Sequence, residues 1–478
     1  MGDGPAGVAA VSAAEQAPPV ARPPSAGPDL RKQAVRGTAW TTFGYGASYA
    51  LRFAGTLVLT RLLEKELFGL NTFLMTVTVG IKLFTDVGIG VSIVQHPRGE
   101  ERTFLDTAWT IQVIRGLAIW LIALVLAWPI ATLWEEPRLV TLLPVVALTA
   151  VFDGLGSTSL SVLNRRLALG RLALFDLWTQ WVGLIGTCVL AAVWPTIWAL
   201  VLGFVATSAL RCVASHLMLP GPRDRLRFDK DVAREIASVG RWILFATAMT
   251  FLSNQSDRLL LGKLFGVGAL LGVYGVACQA ADIPRTVLAR FKGQVMFPVI
   301  SRFVERPREE LRAKLLAKRR LLLFALMAGT AGLTLTGDWV VELLFEPKWH
   351  DAAWMLPLLA IGIWPRILGL TIDPVLYALG KPKFVAFGNL AKVVYMIVVL
   401  PLATWRFGVL GAMVAIALND LPYYVAVAVG VRRERVSGLR QDLAHTLLLV
   451  VVLAALIGAR VALGLGVPGV AAWQASTL

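Results

Sequence analysis

Residues 444–459 read AHTLLLVVVLAALIGA and contain no Asp, Glu, Lys or Arg. An α-helix needs about 20 predominantly apolar residues to cross the hydrocarbon core of a bilayer, and apolar blocks of that length recur between Thr38 and Leu465. The 478-residue chain is 57% hydrophobic and 16% charged, whereas soluble domains carry about 25% charged residues. The sequence therefore predicts an all-α polytopic membrane protein.

The apolar blocks also predict the spans and their direction. The segments with the length of a tilted transmembrane helix are 38–60, 69–94, 106–133, 139–163, 172–194, 196–219, 238–262, 269–298, 320–345, 352–379, 384–404, 408–431 and 443–465. When the N-terminus is placed in the cytoplasm, the cytoplasmic loops hold several times as many Lys and Arg residues as the far-side loops. This is the positive-inside pattern, so we expect a cytoplasmic N-terminus.

The net charge of +16 does not indicate nucleic-acid binding. Many of the Lys and Arg residues lie in two predicted cytoplasmic loops, 224–235 and 306–320, where they suit anionic lipid headgroups and show no nucleic-acid-binding pattern. Residues 1–35 begin with a stretch rich in Ala, Pro and Gly that lacks a contiguous apolar core. We expect a disordered cytoplasmic tail there and not a cleaved signal peptide.

The residues that could support catalysis or metal binding are scattered along the chain. The four histidines lie at span edges, and the three cysteines lie inside spans without zinc-ligand spacing: His96, His216, His350, His445, Cys188, Cys212 and Cys278. There is no P-loop, and every predicted loop is short. We therefore expect neither an enzyme nor a cofactor.

The two halves of the chain resemble each other. Residues 133–148 (LWEEPRLVTLLPVVAL) match residues 344–361 (LFEPKWHDAAWMLPLLAI), and Gly69 is separated from Gly272 by the same interval as Gly37 from Gly240. Because six helices per half is an even number, both halves start on the same side, which defines a parallel repeat. The predicted units are a six-helix lobe at 36–219, a basic cytoplasmic linker at 220–236, a second six-helix lobe at 237–433, and an extra helix and tail at 440–478.

Five basic residues interrupt predicted spans: Arg52, Lys82, Arg290, Lys292 and Lys392. A charge at the centre of a transmembrane helix costs about 2.5–3.5 kcal/mol on insertion scales. Lys82 is four residues from Asp86, so the two share a helix face and can form a pair. Either these bases face a hydrated cavity between the halves, or they are structural, as ion pairs or, for Arg290 and Lys292, as side chains that snorkel to the headgroups.

Four carboxylates in or near the spans, Asp86, Asp257, Asp282 and Asp373, are candidates for binding a coupling ion or for pairing with a base. Asp282 is three residues from Arg285, so the two can pair. Asp257, next to Arg258 near the outer end of a span, is expected to form a local cap or a salt bridge between helices. The nearby amides Asn254 and Gln255 suit glycan hydroxyls or hydrogen bonds between helices.

Several stretches carry a family resemblance: RLLEKELFGL (61–70), SVLNRRLALGRLA (161–173), DRLLLGKLFGVGALLGVYGVA (257–277), FPVISR (297–302) and LYALGKPKF (376–384). Together they resemble the oligosaccharide and polysaccharide flippases (Wzx-type) of the MOP exporter superfamily, over residues 36–433. The resemblance implies a bacterial inner-membrane protein that moves undecaprenyl-diphosphate-linked oligosaccharide repeat units from the cytoplasmic to the outer leaflet by alternating access.

In that interpretation the five bases bind the diphosphate headgroup, since Arg offers bidentate hydrogen bonds to phosphate. The product would be surface polysaccharide (exopolysaccharide, capsule or O-antigen), with membrane lipids, a polysaccharide polymerase and glycosyltransferases as partners. Two alternatives of the same superfamily stay open: a lipid II flippase and a drug/cation antiporter. A membrane glycan ligase or polymerase is disfavoured, because such an enzyme needs a larger far-side loop than this chain has.

Overall fold

The computed structural model describes residues 28–84, 88–221, 224–292, 296, 300, 303 and 306–475. Within these residues every regular element is a helix. Eight helical segments are long and apolar enough to cross a membrane, and a bent pair adds a ninth. The predicted all-α polytopic membrane architecture is therefore confirmed.

The described residues of the first half form eight helices. They are α1 (Pro28–Leu62), α2 (Lys65–Phe84), α3 (Ile89–Gln95), α4 (Arg102–Leu133), α5 (Leu139–Leu155), α6 (Ser159–Arg165), α7 (Leu169–Val193) and α8 (Ile197–Leu217). Helix α1 begins inside the segment that the sequence assigns to a tail.

The described residues of the second half form eleven helices. They are α9 (Lys230–Phe265), α10 (Ala269–Ala281), α11 (Ile283–Phe291), α12 (Arg308–Leu344), α13 (Ala352–Gly362), α14 (Trp364–Leu370), α15 (Asp373–Ala378), α16 (Lys383–Ala417), α17 (Leu421–Arg433), α18 (Leu439–Ala462) and α19 (Val470–Gln474). With five residues, α19 is too short to cross a bilayer.

Among the described residues, two apolar segments bend sharply at or beside a glycine. Helices α5 and α6 meet at 58°, on either side of a short stretch that contains Gly156. Helix α16 turns at Gly408, whose φ of 60° and ψ of −144° are not helical. The positive φ suits glycine, which has no Cβ. Because of this turn, the continuous apolar segment that runs from α16 to α17 corresponds to two of the predicted spans, 384–404 and 408–431.

The same helix pairs pack in both halves. In the first half α1 packs on α7, α4 on α5, and α7 on α8. In the second half α9 packs on α16, α12 on α13, and α16 on α17. The halves meet mainly where α2 packs against α9 and α10.

The junction of α2 and α10 is a close crossing of two backbones. A Cβ added at Gly69 would lie 1.9 Å from the carbonyl oxygen of Gly268, and one added at Gly272 would lie 2.2 Å from that of Lys65. Lys65 and Gly268 are separated by the same interval as Gly69 and Gly272. The crossing is therefore reciprocal, as expected where a two-fold axis passes between equivalent helices.

Helix α18 is joined to α12 by buried ion pairs near both ends. Arg319 of α12 pairs with Asp442 of α18, and Arg460 of α18 pairs with Asp338 of α12, with Nη1 and Oδ1 3.0 Å apart. Asp442 also accepts a hydrogen bond from Tyr424 over 2.9 Å. In the first pair the base lies on α12 and the acid on α18, and in the second pair the base lies on α18 and the acid on α12. The two pairs together fix the orientation and register of α18 on α12.

Candidate functional site

A polar cavity of about 530 Å³ lies between α1 and α2 of the first half and α9, α10 and α11 of the second half. Polar side chains line much of its wall: Tyr49, Arg52, Thr56, Asn71, Thr72, Thr76, Gln255, Arg258, Gln279, Asp282 and Thr286. We call it the central cavity.

The polar lining arises from helical periodicity. Tyr49, Arg52 and Thr56 on α1 are three and four residues apart, which places them on one helix face. Gln279, Asp282 and Thr286 follow the same spacing along α10 and α11. Each helix therefore turns a narrow polar face toward the cavity and its apolar faces toward lipid or neighbouring helices.

Hydrogen bonds join the two halves across the cavity wall. Tyr49 Oη donates to the backbone carbonyl of Gln279 over 2.5 Å, and Thr56 Oγ1 donates to Gln279 Oε1 over 3.0 Å. Gln279 therefore binds two residues of α1 from the opposite half. These contacts hold α1 and α10 together at the level of the cavity.

The charges that line the cavity favour an anion. Arg52 is exposed to the cavity, and Arg258 donates to the Gln255 side chain. Among the described lining residues Asp282 is the one carboxylate, and Arg285 pairs with it, as expected from the sequence. The guanidinium groups of Arg52 and Arg258 therefore remain at the wall, with the Asp257 carboxylate next to Arg258.

The cavity is closed at one end of the helical bundle, which we call the distal end. It is formed by the C-terminus of α1 and residues 134–138 and 345–351. The indole of Trp349 is fully buried, donates to the backbone carbonyl of Thr60 over 2.9 Å and packs edge-on against Phe68, with ring centroids 5.1 Å apart. Lys65 Nζ lies 2.9 Å from Asp351 Oδ2. The loop of the second half thus covers the helix ends of the first.

The loop of the first half makes the matching contact. Trp134 Nε1 donates to the backbone carbonyl of Leu259 on α9 over 3.0 Å. Glu135 Oε1 lies 2.9 Å from Lys263 Nζ, and this hydrogen bond lowers the pKa of Glu135. The Glu135 carboxylate therefore stays charged at neutral pH. Each half closes the distal end by contacting the first long helix of the other.

The bases predicted from the sequence have different surroundings. Arg52 lines the central cavity. Lys82 Nζ lies 2.7 Å from Asp153 Oδ2 on α5, and Lys292 Nζ lies 2.7 Å from Asp373 Oδ2 on α15. Lys392 is buried, with Nζ 2.6 Å from Asp420 Oδ1. Arg290 belongs to α11, but its side chain lies outside the described residues.

The predicted carboxylates also have partners. Asp257 accepts a hydrogen bond from Tyr274 Oη, and Asp373 accepts one from Tyr423 Oη over 2.6 Å as well as the Lys292 contact. Asp282 pairs with Arg285. Asp86 lies outside the described residues.

A second, smaller chamber of about 60 Å³ lies within the second half. Lys392, Asp420 and Asn254 are among its lining residues, and it shares two wall residues, Arg258 and Asp282, with the central cavity. Lys392 therefore faces an internal polar chamber that is separate from the central cavity. Among the residues that the structure describes, no group of three or more His, Cys, Asp or Glu side chains has the arrangement of a metal site.

Some lining residues were not singled out from the sequence. Asn71, Thr72 and Thr76 form a polar face of α2, and Gln279 joins the halves. The signal that would have found them is polar spacing at three and four residues within an apolar span. A search for ionisable groups alone passes over uncharged amides and hydroxyls.

These features define the structural class: the fold is that of the MOP superfamily of membrane transporters. The lipid II flippase MurJ in an inward closed conformation matches with a TM-score of 0.66, covering 87% of this chain and 91% of that chain at 15% identity. A multidrug resistance MATE family transporter in an inward-facing conformation matches with a TM-score of 0.58. The match covers 84% of this chain and 96% of that transporter at 14% identity.

A protein family described as "Polysaccharide biosynthesis protein" matches residues 58–354, which is more than half of the chain. The chain therefore belongs to this family. It is 23% identical to the lipopolysaccharide biosynthesis protein WzxC of Escherichia coli K12 over 412 residues, 83% of this chain and 82% of WzxC. It is 22% identical to the teichuronic acid biosynthesis protein TuaB of Bacillus subtilis 168 over 367 residues, 74% and 73% of the two chains. The resemblance drawn from the sequence is confirmed.

A relative with a transport name also matches. The succinoglycan biosynthesis transport protein ExoT of Rhizobium meliloti 1021 is 24% identical over 336 residues, 69% of this chain and 66% of ExoT. The relatives are therefore named for the synthesis or transport of several different polysaccharides.

Proposed function

We propose that this protein is a flippase that moves polyprenyl-diphosphate-linked oligosaccharide repeat units from the cytoplasmic to the outer leaflet for surface polysaccharide synthesis. The observation that carries the proposal is the central cavity, where Arg52 and Arg258 face a polar space between the two halves. Membership of the polysaccharide biosynthesis family supports the glycan class of the substrate.

The chemistry of the cavity suits a diphosphate. Guanidinium groups form paired hydrogen bonds with phosphate oxygens, and an Arg on each half would bind one diphosphate from two sides. The amides and hydroxyls of Asn71, Thr72 and Gln279 would form hydrogen bonds with the sugar hydroxyls. A cationic drug would meet two positive charges and a carboxylate that Arg285 already neutralises, so the antiporter alternative fits this wall less well.

The proposed mechanism is alternating access between two six-helix lobes, 36–219 and 237–433, joined by the linker 220–236. In the conformation described here the distal end is closed by Trp134 and Trp349. We assign the distal end to the outside, so that substrate would enter from the cytoplasmic side and leave after these contacts separate. Outward transfer of one negative charge gains about 2.3 kcal/mol per 100 mV of inside-negative potential.

The proposed location is the bacterial inner membrane, with a cytoplasmic N-terminus. A polysaccharide polymerase and glycosyltransferases would act after and before this step. In intact cells, a cysteine introduced in 306–320 should resist a membrane-impermeant thiol reagent, whereas one in 345–351 should react. Reaction at 306–320 in intact cells would reverse the assigned orientation.

The function is tested with purified protein in liposomes that carry a polyprenyl-diphosphate-linked oligosaccharide. Transfer is measured as the fraction of sugar that becomes accessible to an impermeant lectin outside the vesicle. We expect transfer with the wild-type protein and none in protein-free vesicles. Equal accessibility in the two preparations, with correctly inserted protein, would exclude the proposed activity for that glycan; trials with lipid II would then test the nearest alternative.

A further inference from the structure

An apolar groove of about 360 Å³ lies along the first turns of α12, away from the central cavity. Leu315, Leu322 and Ala325 of α12 form one wall, and Met296 and Ile300 form the other. The groove shares no lining residue with the central cavity. It is therefore separate from the central cavity.

Basic side chains surround one end of the groove. Lys314 Nζ and Lys318 Nζ lie 4.7 and 6.0 Å from the centre of the Phe303 ring, and the guanidinium of Arg306 lies 5.1 Å from it. Lys314 also contacts Glu310 over 2.6 Å. The rim thus gathers three cations and one carboxylate around a single aromatic ring.

The sequence of α12 places this groove at the membrane boundary. The helix starts with REELRAKLLAKRR and continues with LLLFALMAG, so the last basic residues mark the level at which the hydrocarbon begins. Lys318 lies just before that level and is exposed, and Leu321 and Ala325 lie just beyond it. A lipid with its phosphate at Lys318 would therefore have its chain at the depth of the apolar groove.

From this arrangement we infer that the groove binds one anionic phospholipid of the membrane, with an acyl chain against Leu315 and Leu322 and the phosphate at Lys314 and Lys318. Basic pockets between transmembrane helices at the cytoplasmic side suit anionic headgroups. The apolar walls of the groove suit an acyl chain.

The test measures lipid binding directly, without transport. Native mass spectrometry of the purified full-length protein counts bound phosphatidylglycerol and, as a neutral control, phosphatidylcholine with the same acyl chains. Two variants change the charges and the groove separately. The double variant Lys314→Gln with Lys318→Gln removes the charges, and the single variant Ala325→Trp fills the groove. The matched control, Lys381→Gln with Lys383→Gln, removes two other lysines near a helix N-terminus, one of which lies over the Phe384 ring at 5.6 Å.

We expect the charge variant to bind phosphatidylglycerol roughly 30-fold more weakly, from about 1 kcal/mol per basic residue near an anionic lipid. The Trp variant should lose the same site with its charges intact, and the control should bind like the wild type. Equal binding of the two lipids by the wild type, or equal loss in the control, would overturn the inference. Displacement of phosphatidylglycerol by a polyprenyl phosphate from this groove would also overturn it, because the groove would then be a substrate-tail site.

Discussion

Trp349 Nε1 donates a hydrogen bond to the backbone carbonyl of Thr60 over 2.9 Å, across the junction between the two halves. Trp134 Nε1 donates to the backbone carbonyl of Leu259 over 3.0 Å, from the first half to the second. The two tryptophans lie in the segments 133–148 and 344–361, which resemble each other in sequence. Closure of the distal end thus depends on two reciprocal contacts, and each can be weakened separately.

The first prediction concerns Trp349→Phe, which removes the indole donor and keeps an aromatic ring. The lost hydrogen bond is worth about 1 kcal/mol, or roughly fivefold in a conformational equilibrium. A cysteine at Thr72, in a protein whose native cysteines are replaced, should therefore react about fivefold faster with an impermeant reagent added outside. Trp405→Phe, at a residue that is 82% exposed, should leave the rate unchanged; equal effects of the two variants would contradict the prediction.

The second prediction concerns the crossing of α2 and α10. Gly272→Ala would place a methyl group 2.2 Å from the carbonyl oxygen of Lys65, so the helices must separate, at a cost of about 1–3 kcal/mol. Thermal unfolding in detergent should occur at a lower temperature for this variant. The control is Gly186→Ala on α7, where an added Cβ meets no atom within 4 Å and a helix-favouring residue should be neutral or stabilising. An unchanged midpoint for Gly272→Ala would show that the helices are not in close contact.

The third prediction concerns the attachment of α18. Arg319→Leu leaves the buried Asp442 without its cation, which typically costs about 3–5 kcal/mol, whereas replacing both partners by apolar residues costs less. We expect a large fall in the unfolding temperature for Arg319→Leu and partial recovery in Arg319→Leu with Asp442→Leu. Arg234→Leu, in a pair whose side chains are 80% and 85% exposed, should have little effect. Additive losses in the double variant would argue against coupling of the two side chains.

The fourth prediction separates the roles of the intramembrane bases. Arg52→Ala and Arg258→Ala should each weaken substrate binding by roughly 10- to 100-fold, from about 1.5–3 kcal/mol per charged hydrogen bond. Lys392→Met should instead lower thermal stability, because it leaves Asp420 without its closest cation. Arg171→Ala, which removes an exposed charge on α7, serves as the control. Normal affinity in both cavity variants would remove Arg52 and Arg258 from the binding site.

The sequence predicts the fold well because the requirements of membrane insertion are visible directly in the order of the residues. Apolar length, the distribution of Lys and Arg, and matched segments such as 133–148 and 344–361 follow from constraints that act along the chain. Arg52 could be predicted to line a cavity because it interrupts an apolar span. The reciprocal packing of Gly69 and Gly272 is consistent with the equal spacing of these glycines in the repeat.

The surroundings of the other bases could not be predicted in the same way. Lys392 contacts Asp420, which lies in the turn before α17, and Lys292 contacts Asp373, which begins α15. Helical spacing predicts pairs within one helix, but pairs between helices depend on crossing angles and register that the sequence does not display. A base that interrupts an apolar span can therefore belong to a binding site or to an internal ion pair, and packing decides which.

The most direct test of the central claim is an experimental structure of the protein with a polyprenyl-diphosphate-linked oligosaccharide bound. Phosphate oxygens should lie about 2.7–2.9 Å from the guanidinium nitrogens of Arg52 and Arg258, with sugar near Gln279. A diphosphate bound instead beside Lys82 or Lys292, with the central cavity empty, would contradict the account.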